Sequence, residues 1–135
     1  MLQLKGFDHV AINIGDMERS KRFFMEVLGL SYVFELHPKH IYLRCGLNML
    51  ALVEAKTPRT PRPAPRTQYL GIGAVNHLSF RVDPDQFDQA VQALQLAKVA
   101  IERGPVDRPE EGSRSIYFRD PDGHRLELTA WTKEP

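Results

Sequence analysis

Apolar and polar positions alternate along Phe7-Asp8-His9-Val10-Ala11-Ile12-Asn13-Ile14. Val10, Ile12 and Ile14 fall on one side, and His9, Ala11 and Asn13 on the other. A period of two over that length predicts a half-buried strand. Gly15-Asp16 reads as a turn and N-cap. From Met17 to Leu28 the spacing becomes helical: Met17, Phe23, Phe24, Val27 and Leu28 make most of one apolar stripe, and Gly29 stops it. Strand-like runs follow at Ser31 to Leu36, Ile41 to Arg44 and Met49 to Glu54, separated by His37-Pro38-Lys39 and Cys45-Gly46. The predicted order is βαβββ.

The pattern lapses between Ala55 and Ala74, where Pro58, Pro61, Pro63 and Pro65 interleave with Arg59, Arg62 and Arg66. Prolines at that density fit neither a sheet nor a helix interior, so the segment is an extended linker or flap. It serves as a solvated spacer or as a cationic cover for a site that receives an anionic substrate. Alternation then restarts at Val75-Asn76-His77-Leu78-Ser79-Phe80-Arg81-Val82, with His77, Ser79 and Arg81 opposite Leu78, Phe80 and Val82. Asp83-Pro84 with Gln86 predicts a capping box, and Phe87, Ala90, Val91 and Leu94 form a helical stripe. A weakly marked run near Val99 to Ile101 and a polar loop over Gly104 to Ser113 lead to a hairpin at Arg114 to Trp131. Its turn is Asp120-Pro121-Asp122-Gly123. That is βαβββ again. In the last strand Leu126, Leu128 and Ala130 share one face, and Arg125, Glu127, Thr129 and Trp131 the other. Glu127 is then either solvated on an outer face or working in a concave site.

The totals narrow the class. The chain has 135 residues, 42% of them apolar and 26% charged, enough for one compact domain. A net charge of +1 asks for neither nucleic acid nor an anionic membrane as partner. The single cysteine, Cys45, allows no intrachain disulfide and fits a reducing compartment. No apolar run approaches the ~20 residues of a membrane span, and no signal-peptide core opens the chain. A soluble, cytoplasmic, single-domain protein is expected.

The two halves repeat one another. Asp8-His9-Val10 matches Asn76-His77-Leu78, and Ile41-Tyr42-Leu43-Arg44 matches Ile116-Tyr117-Phe118-Arg119. The expected fold is α+β: one module over about 5–55, the linker over 56–74 and a second module over about 75–132. The two are related by a pseudo-twofold, with strands curled into a cup and helices outside. His9, His77 and Glu127 then face inward.

Asp8-His9-Val10, Val27-Leu28-Gly29-Leu30, Asn76-His77-Leu78 and the run from Asp120 to Leu128 together resemble the vicinal oxygen chelate superfamily. This is the glyoxalase, bleomycin-resistance and extradiol-dioxygenase group, and the resemblance spans nearly all of the chain outside the linker. It implies metal ligands at His9, His77 and Glu127. Two imidazoles and a carboxylate suit one divalent ion, with Fe²⁺, Mn²⁺, Ni²⁺, Co²⁺ and Zn²⁺ all compatible. In glyoxalase I-like members a second carboxylate joins from the last strand of the first module, where Glu54 is the only acid. Aligning Ile41 with Ile116 without gaps places Leu52 opposite Glu127, and a hairpin longer by two residues places Glu54 there. Glu54 is otherwise a charge at a strand end. Tyr117 stands where ring-cleaving relatives carry a substrate-contacting tyrosine, and is otherwise a packed strand aromatic.

The leading activity that the resemblance implies is lyase or isomerase chemistry through a metal-stabilised enediolate, with Glu127 or Glu54 as base. The alternative is an extradiol ring-cleaving dioxygenase with a His-His-Glu iron site, although Arg62 and Arg108 stand where such enzymes carry acid–base histidines. A thiol transferase of the fosfomycin-resistance kind shares Ser115, Tyr117 and the Asp-Pro-Asp-Gly-His-Arg-Leu-Glu run. It asks for a hydroxyl where this chain has Ala11, and for further basic residues. A bleomycin-resistance-type drug-binding protein is the non-enzymatic reading. Glyoxalase I-like relatives share sites across a homodimer, and a homodimer is expected here. His37 and His40 are expected at a solvated hairpin tip, and His124 on the rim.

Overall fold

The computed structural model describes residues 1–56 and 71–135, so the Pro/Arg-rich stretch with Arg62 lies largely outside the described residues. The chain divides into two units, Met1–Arg59 and Thr60–Pro135. Each carries a four-stranded mixed sheet and helical segments, an α+β architecture without a closed barrel.

In the first unit β1 (His9–Ile14) leads into α1 (Met17–Lys21), which continues as a wider π-helical turn over Arg22–Val27. Asp16 caps α1 as its position predicts, its carboxylate accepting from Arg19 N at 2.8 Å. Strands β2 (Ser31–His37), β3 (His40–Cys45) and β4 (Asn48–Glu54) complete a sheet of order β1-β4-β3-β2, in which β1 and β4 run parallel. Ile12, Ile14, Leu50, Leu52, Ile41 and Leu43 share the helix-covered face and are buried with Phe23 and Phe24. His9, Ala11, Ala51 and Tyr42 occupy the opposite face.

The second unit repeats this plan with β5 (Leu78–Arg81), α2 (Phe87–Leu96), β6 (Ile101–Arg108), β7 (Ser113–Arg119) and β8 (Arg125–Trp131), in the order β5-β8-β7-β6. Phe87 and Leu94 of α2 are buried, as are Ile116, Phe118, Leu126 and Leu128 of the sheet. The opposite face carries Ser79, Ser115, Tyr117, Glu127 and Thr129, which the ladders place side by side.

Three local expectations are corrected. The polar segment after Gly104 is not a loop, because β6 runs through Gly104-Pro105 to Arg108 and pairs with β7 through two register shifts. Those irregularities hide the strand from a period-two reading. Gly104 is also where a side chain would collide: an added Cβ would meet the Ser115 carbonyl oxygen at 2.7 Å. The capping box is not formed, since Asp83 caps a short 3₁₀ turn (Pro84–Gln86) without a side-chain bond. Third, β5 starts at Leu78, leaving His77 just ahead of it.

Candidate metal centre in the second unit

Glu127 sits mid-strand on β8, opposite Ser79 on β5 and Tyr117 on β7. Its residue is only 7% exposed. Burial pushes its carboxyl upward. Hydrogen bonds from Ser115, Tyr117, Ser79 and Thr129 outweigh that and hold it below the ordinary carboxylate value. The site is thus built for an anion: four hydroxyls converge on one carboxylate, and the Ser79 and Thr129 hydroxyls lie 2.8 Å apart. Strand parity accounts for this, because Ser79, Ser115, Thr129 and Tyr117 are all on one face.

His77 Nε2 lies 2.9 Å from Glu127 Oε2, while its Nδ1 is 2.6 Å from the Asn76 side-chain oxygen. The amide oxygen only accepts, so Nδ1 carries the hydrogen, and in the neutral ring Nε2 presents a lone pair. A lone pair and a carboxylate oxygen facing each other at hydrogen-bond distance need a proton or a cation between them. The donor set therefore fits a divalent ion, with Asn76 as the outer partner that fixes the imidazole. In the first unit His9 is held the same way, its Nδ1 2.7 Å from Asp8 Oδ2 and its ring edge-on to Tyr42 at 5.2 Å. The repeated Asx-His pair thus orients each ring. The ring-orienting roles of Asp8 and Asn76 could have been read from the repeat and were not.

Among the described residues no three His, Cys, Asp or Glu side chains come together. The pair is His77 with Glu127, and His9 belongs to the other unit. Glu54 takes no part in this face. Its register partner is Ile14, so it lies on the helix side of its sheet, where it accepts from Met17 N at 3.1 Å and faces Lys39 Nζ at 3.3 Å. The residue that occupies the place of Glu127 is Ala51, opposite Ala11 and Tyr42. The first hairpin is one residue shorter than the second. A slip of one, unlike a slip of two, turns the side chain to the other face.

Tyr117 is 7% exposed and packed between edge-on His77, at 5.6 Å, and the Arg125 guanidinium, 4.2 Å from its ring centre. Its hydroxyl accepts from Arg108 Nη2 at 3.3 Å and bonds Glu127. Arg108 Nη1 donates to Ser115 Oγ at 3.1 Å. Together with Arg81, Arg108 lines a cavity of about 460 Å³ that opens beside Glu127, Thr129 and Trp131. Sequence reading set Arg81 on the face of His77 and Ser79 but did not bring the two arginines to one cavity.

Two histidines differ from expectation. His124 is not simply rim surface: its Nδ1 is 2.7 Å from the buried Asp120 carboxylate. Burial works against its charged form, but the bond to Asp120 and the charges of Asp120 and Asp122 raise it above its ordinary value. His40 is half-buried against Tyr42 rather than solvated, and its Nε2 is shut off from solvent without a partner. Burial pushes the Cys45 thiol upward, which gives a nucleophile reading no support. No helix among the described residues is long and apolar enough to cross a membrane.

Residues 6–128 match the family model of the Glyoxalase/Bleomycin resistance protein/Dioxygenase superfamily. The chain is 29% identical over 131 residues to a metallothiol transferase FosB of Lysinibacillus sphaericus, covering 97% of this chain and 86% of that protein. It is 31% identical over 128 residues to a glutathione transferase FosA of Serratia marcescens, covering 93% and 80% respectively. Among solved structures, a glyoxalase/dioxygenase from Nostoc punctiforme superposes with a TM-score of 0.81 at 29% identity, over 96% of this chain and 92% of that one.

Proposed function

The chain belongs to the glyoxalase/bleomycin resistance protein/dioxygenase superfamily, and from that premise we propose that it is a metal-dependent enzyme that adds a thiol to a small oxygenated electrophile. Relatives named metallothiol and glutathione transferases, aligned over 93–97% of this chain, carry the reading. The cationic wall beside Glu127 supports it. Enediolate lyase or isomerase chemistry, which the sequence placed first, loses ground because its second carboxylate, Glu54, is committed to Met17 and Lys39 on the other face of its sheet. Ring cleavage is disfavoured because Arg108, at a place where a base was wanted, is a permanent cation.

His77 and Glu127 are the ligands supplied by the second unit, and His9 is the third. A divalent ion held there supplies Lewis acidity to a substrate oxygen. Glu127 is kept ionised and aimed by its four hydroxyl donors, and Asn76 keeps Nε2 of His77 free to ligate. The thiol sulfur forms a bond to carbon, the carbon–oxygen bond of a strained ring such as an epoxide breaks, and the thiol proton ends on the released oxygen. No atom is lost.

The test is incubation of the metal-loaded protein with fosfomycin and either glutathione or cysteine, followed by mass spectrometry. The expected product has the summed mass of the two reactants. Turnover of a hemithioacetal without such an adduct would restore the lyase reading, and oxygen uptake dependent on a catechol would favour the dioxygenase.

We further propose a homodimer in which His9 comes from the second copy. Each of His9→Ala and His77→Ala should be inactive alone. Unfolded and refolded together, they should regain activity, because one site in a heterodimer then holds both histidines. A mixture that stays inactive would mean that each chain supplies its own His9.

A further inference from the structure

The Arg125 side chain is 11% exposed, less than those of Arg119, Arg114 and Arg81. Its Nε donates to one oxygen of Glu102 on β6 at 3.1 Å. The other oxygen of Glu102 accepts from Arg119 Nε, and Arg119 Nη1 donates to the Gly123 carbonyl at 2.8 Å. Burial pushes the Glu102 carboxyl upward, but the bonds and charges of the two arginines hold it below the ordinary carboxylate value. Glu102 is thus a fixed anion that sets the plane of the Arg125 guanidinium. That guanidinium covers the ring of Tyr117, whose hydroxyl bonds Glu127. Strand parity makes the contact: Arg125 and Glu127 are two apart on β8, and Tyr117 stands opposite Glu127.

The first unit supplies the comparison. Its Tyr42 holds the ladder position of Tyr117, but the residue opposite is Ala51, and Met49 takes the place of Arg125. The ring of Tyr42 is covered by Phe34, 4.4 Å away and 11° from parallel. Filling the space beside a strand tyrosine therefore needs no cation. Burying a guanidinium costs more than burying a methionine unless its interactions offset the lost hydration. The buried cation accompanies the tyrosine that bonds a carboxylate.

We propose that Arg125, clamped by Glu102, is a positioning residue that holds the Tyr117 ring and strengthens its hydroxyl as a donor to Glu127. A cation over the face of a phenol is attracted by its π electrons. Drawing on them polarises the O–H further, so the bond to the carboxylate gains. The same contact keeps the ring from turning its hydroxyl away. Arg125 thus acts on Glu127 only through Tyr117. The inference rests on Glu127 being the ligand carboxylate of the proposed function, and it stands on the second unit alone.

Two measurements test it, neither of them turnover. The first is NMR of the metal-free protein carrying tyrosine labelled with ¹³C at Cζ. The Tyr117 resonance, assigned by its loss in Tyr117→Phe, should shift in Arg125→Met, which copies Met49, while that of Tyr42 stays in place. Arg125→Lys should bring it part of the way back, because an ammonium still sits over the ring but offers Glu102 no planar guanidinium. Glu102→Gln loosens the guanidinium without removing it, should move the resonance the same way, and serves if Arg125→Met does not fold. The second is Mn²⁺ titration read by electron paramagnetic resonance of the free ion. Arg125→Met should weaken binding by up to ~10-fold, the lower edge of what outer partners of a ligand cost. In a Tyr117→Phe background the same change should cost nothing further, since the hydroxyl through which it acts is gone. A Tyr117 resonance indifferent to Arg125 and Glu102, or an equal loss of Mn²⁺ affinity with and without the Tyr117 hydroxyl, would overturn the proposal. A wild-type protein that takes up no Mn²⁺ while its Tyr117 resonance follows Arg125 would remove the metal reading and leave the clamp in place.

Discussion

Glu127→Gln should abolish divalent-metal retention while leaving the fold intact. The glutamine matches the glutamate in shape and still fits among Ser79, Ser115, Tyr117 and Thr129, but it brings no charge to face His77 Nε2, now 2.9 Å away. Loss of outer partners of a metal ligand typically costs ~10–100-fold in affinity. Loss of the ligand itself should exceed that, and turnover should fall with it. Ser115→Ala gives the comparison: it removes one of four donors to the carboxylate and should stay inside the ~10–100-fold range. Metal content after dialysis against Mn²⁺ or Zn²⁺, with circular dichroism as the check on folding, separates the two. A folded Glu127→Gln protein that keeps its metal would remove Glu127 from the ligand set.

Asp120→Ala should be the most destabilising single change in the hairpin. The side chain is fully buried, and its carboxylate accepts from Asp122 N at 3.1 Å, His124 N at 2.7 Å and His124 Nδ1 at 2.7 Å. Truncation strands two backbone donors and removes the counter-charge of the imidazole. Breaking a buried charged pair costs about 3–5 kcal/mol, which urea unfolding would read as a lowered midpoint. Asp120→Asn keeps an oxygen for the backbone donors and should lose less. The pH dependence separates the two contributions. His124 is raised in the folded state, so its contribution is complete below its unfolded value of about 6.5 and fades as pH climbs through the higher folded value. Wild-type stability should therefore carry an increment on the acid side of neutrality that both Asp120 variants lack. An Asp120→Ala midpoint within error of wild type would show that the carboxylate does not hold the turn.

These two residues show how unevenly the chain discloses itself. Asp120-Pro121-Asp122-Gly123 announced a turn because Pro and Gly set backbone angles locally, and the turn is where it was expected. Glu127 was legible as a carboxylate on the face away from Leu126 and Leu128, because alternation is a property of one strand. The paired His9 and His77 were legible from the repeat. What sequence could not supply was register. Whether Leu52, Glu54 or Ala51 stands where Glu127 stands depends on the length of a hairpin, and a step of one residue, from Leu52 to Ala51, decides which face a side chain joins. Strand β6 was legible only as a weak run at its start, because its two register shifts break the period of two, and the partners of Arg108, which lie on β7, could not be read with it.

The sequence by itself thus determined the βαβββ repeat, the placing of His9 and Glu127 on the faces away from their apolar stripes, the Asp16 cap and the Asp120–Gly123 turn, all of which follow from interactions between near neighbours in the chain. Only the tertiary structure decided that Glu54 faces α1 on the helix side of its sheet, that four hydroxyls from three strands hold Glu127 ionised, and that Arg108 lies beside them, donating to Ser115 and Tyr117. Each of those is a pairing between elements, set by packing and ladder register, and no local pattern of residues encodes it.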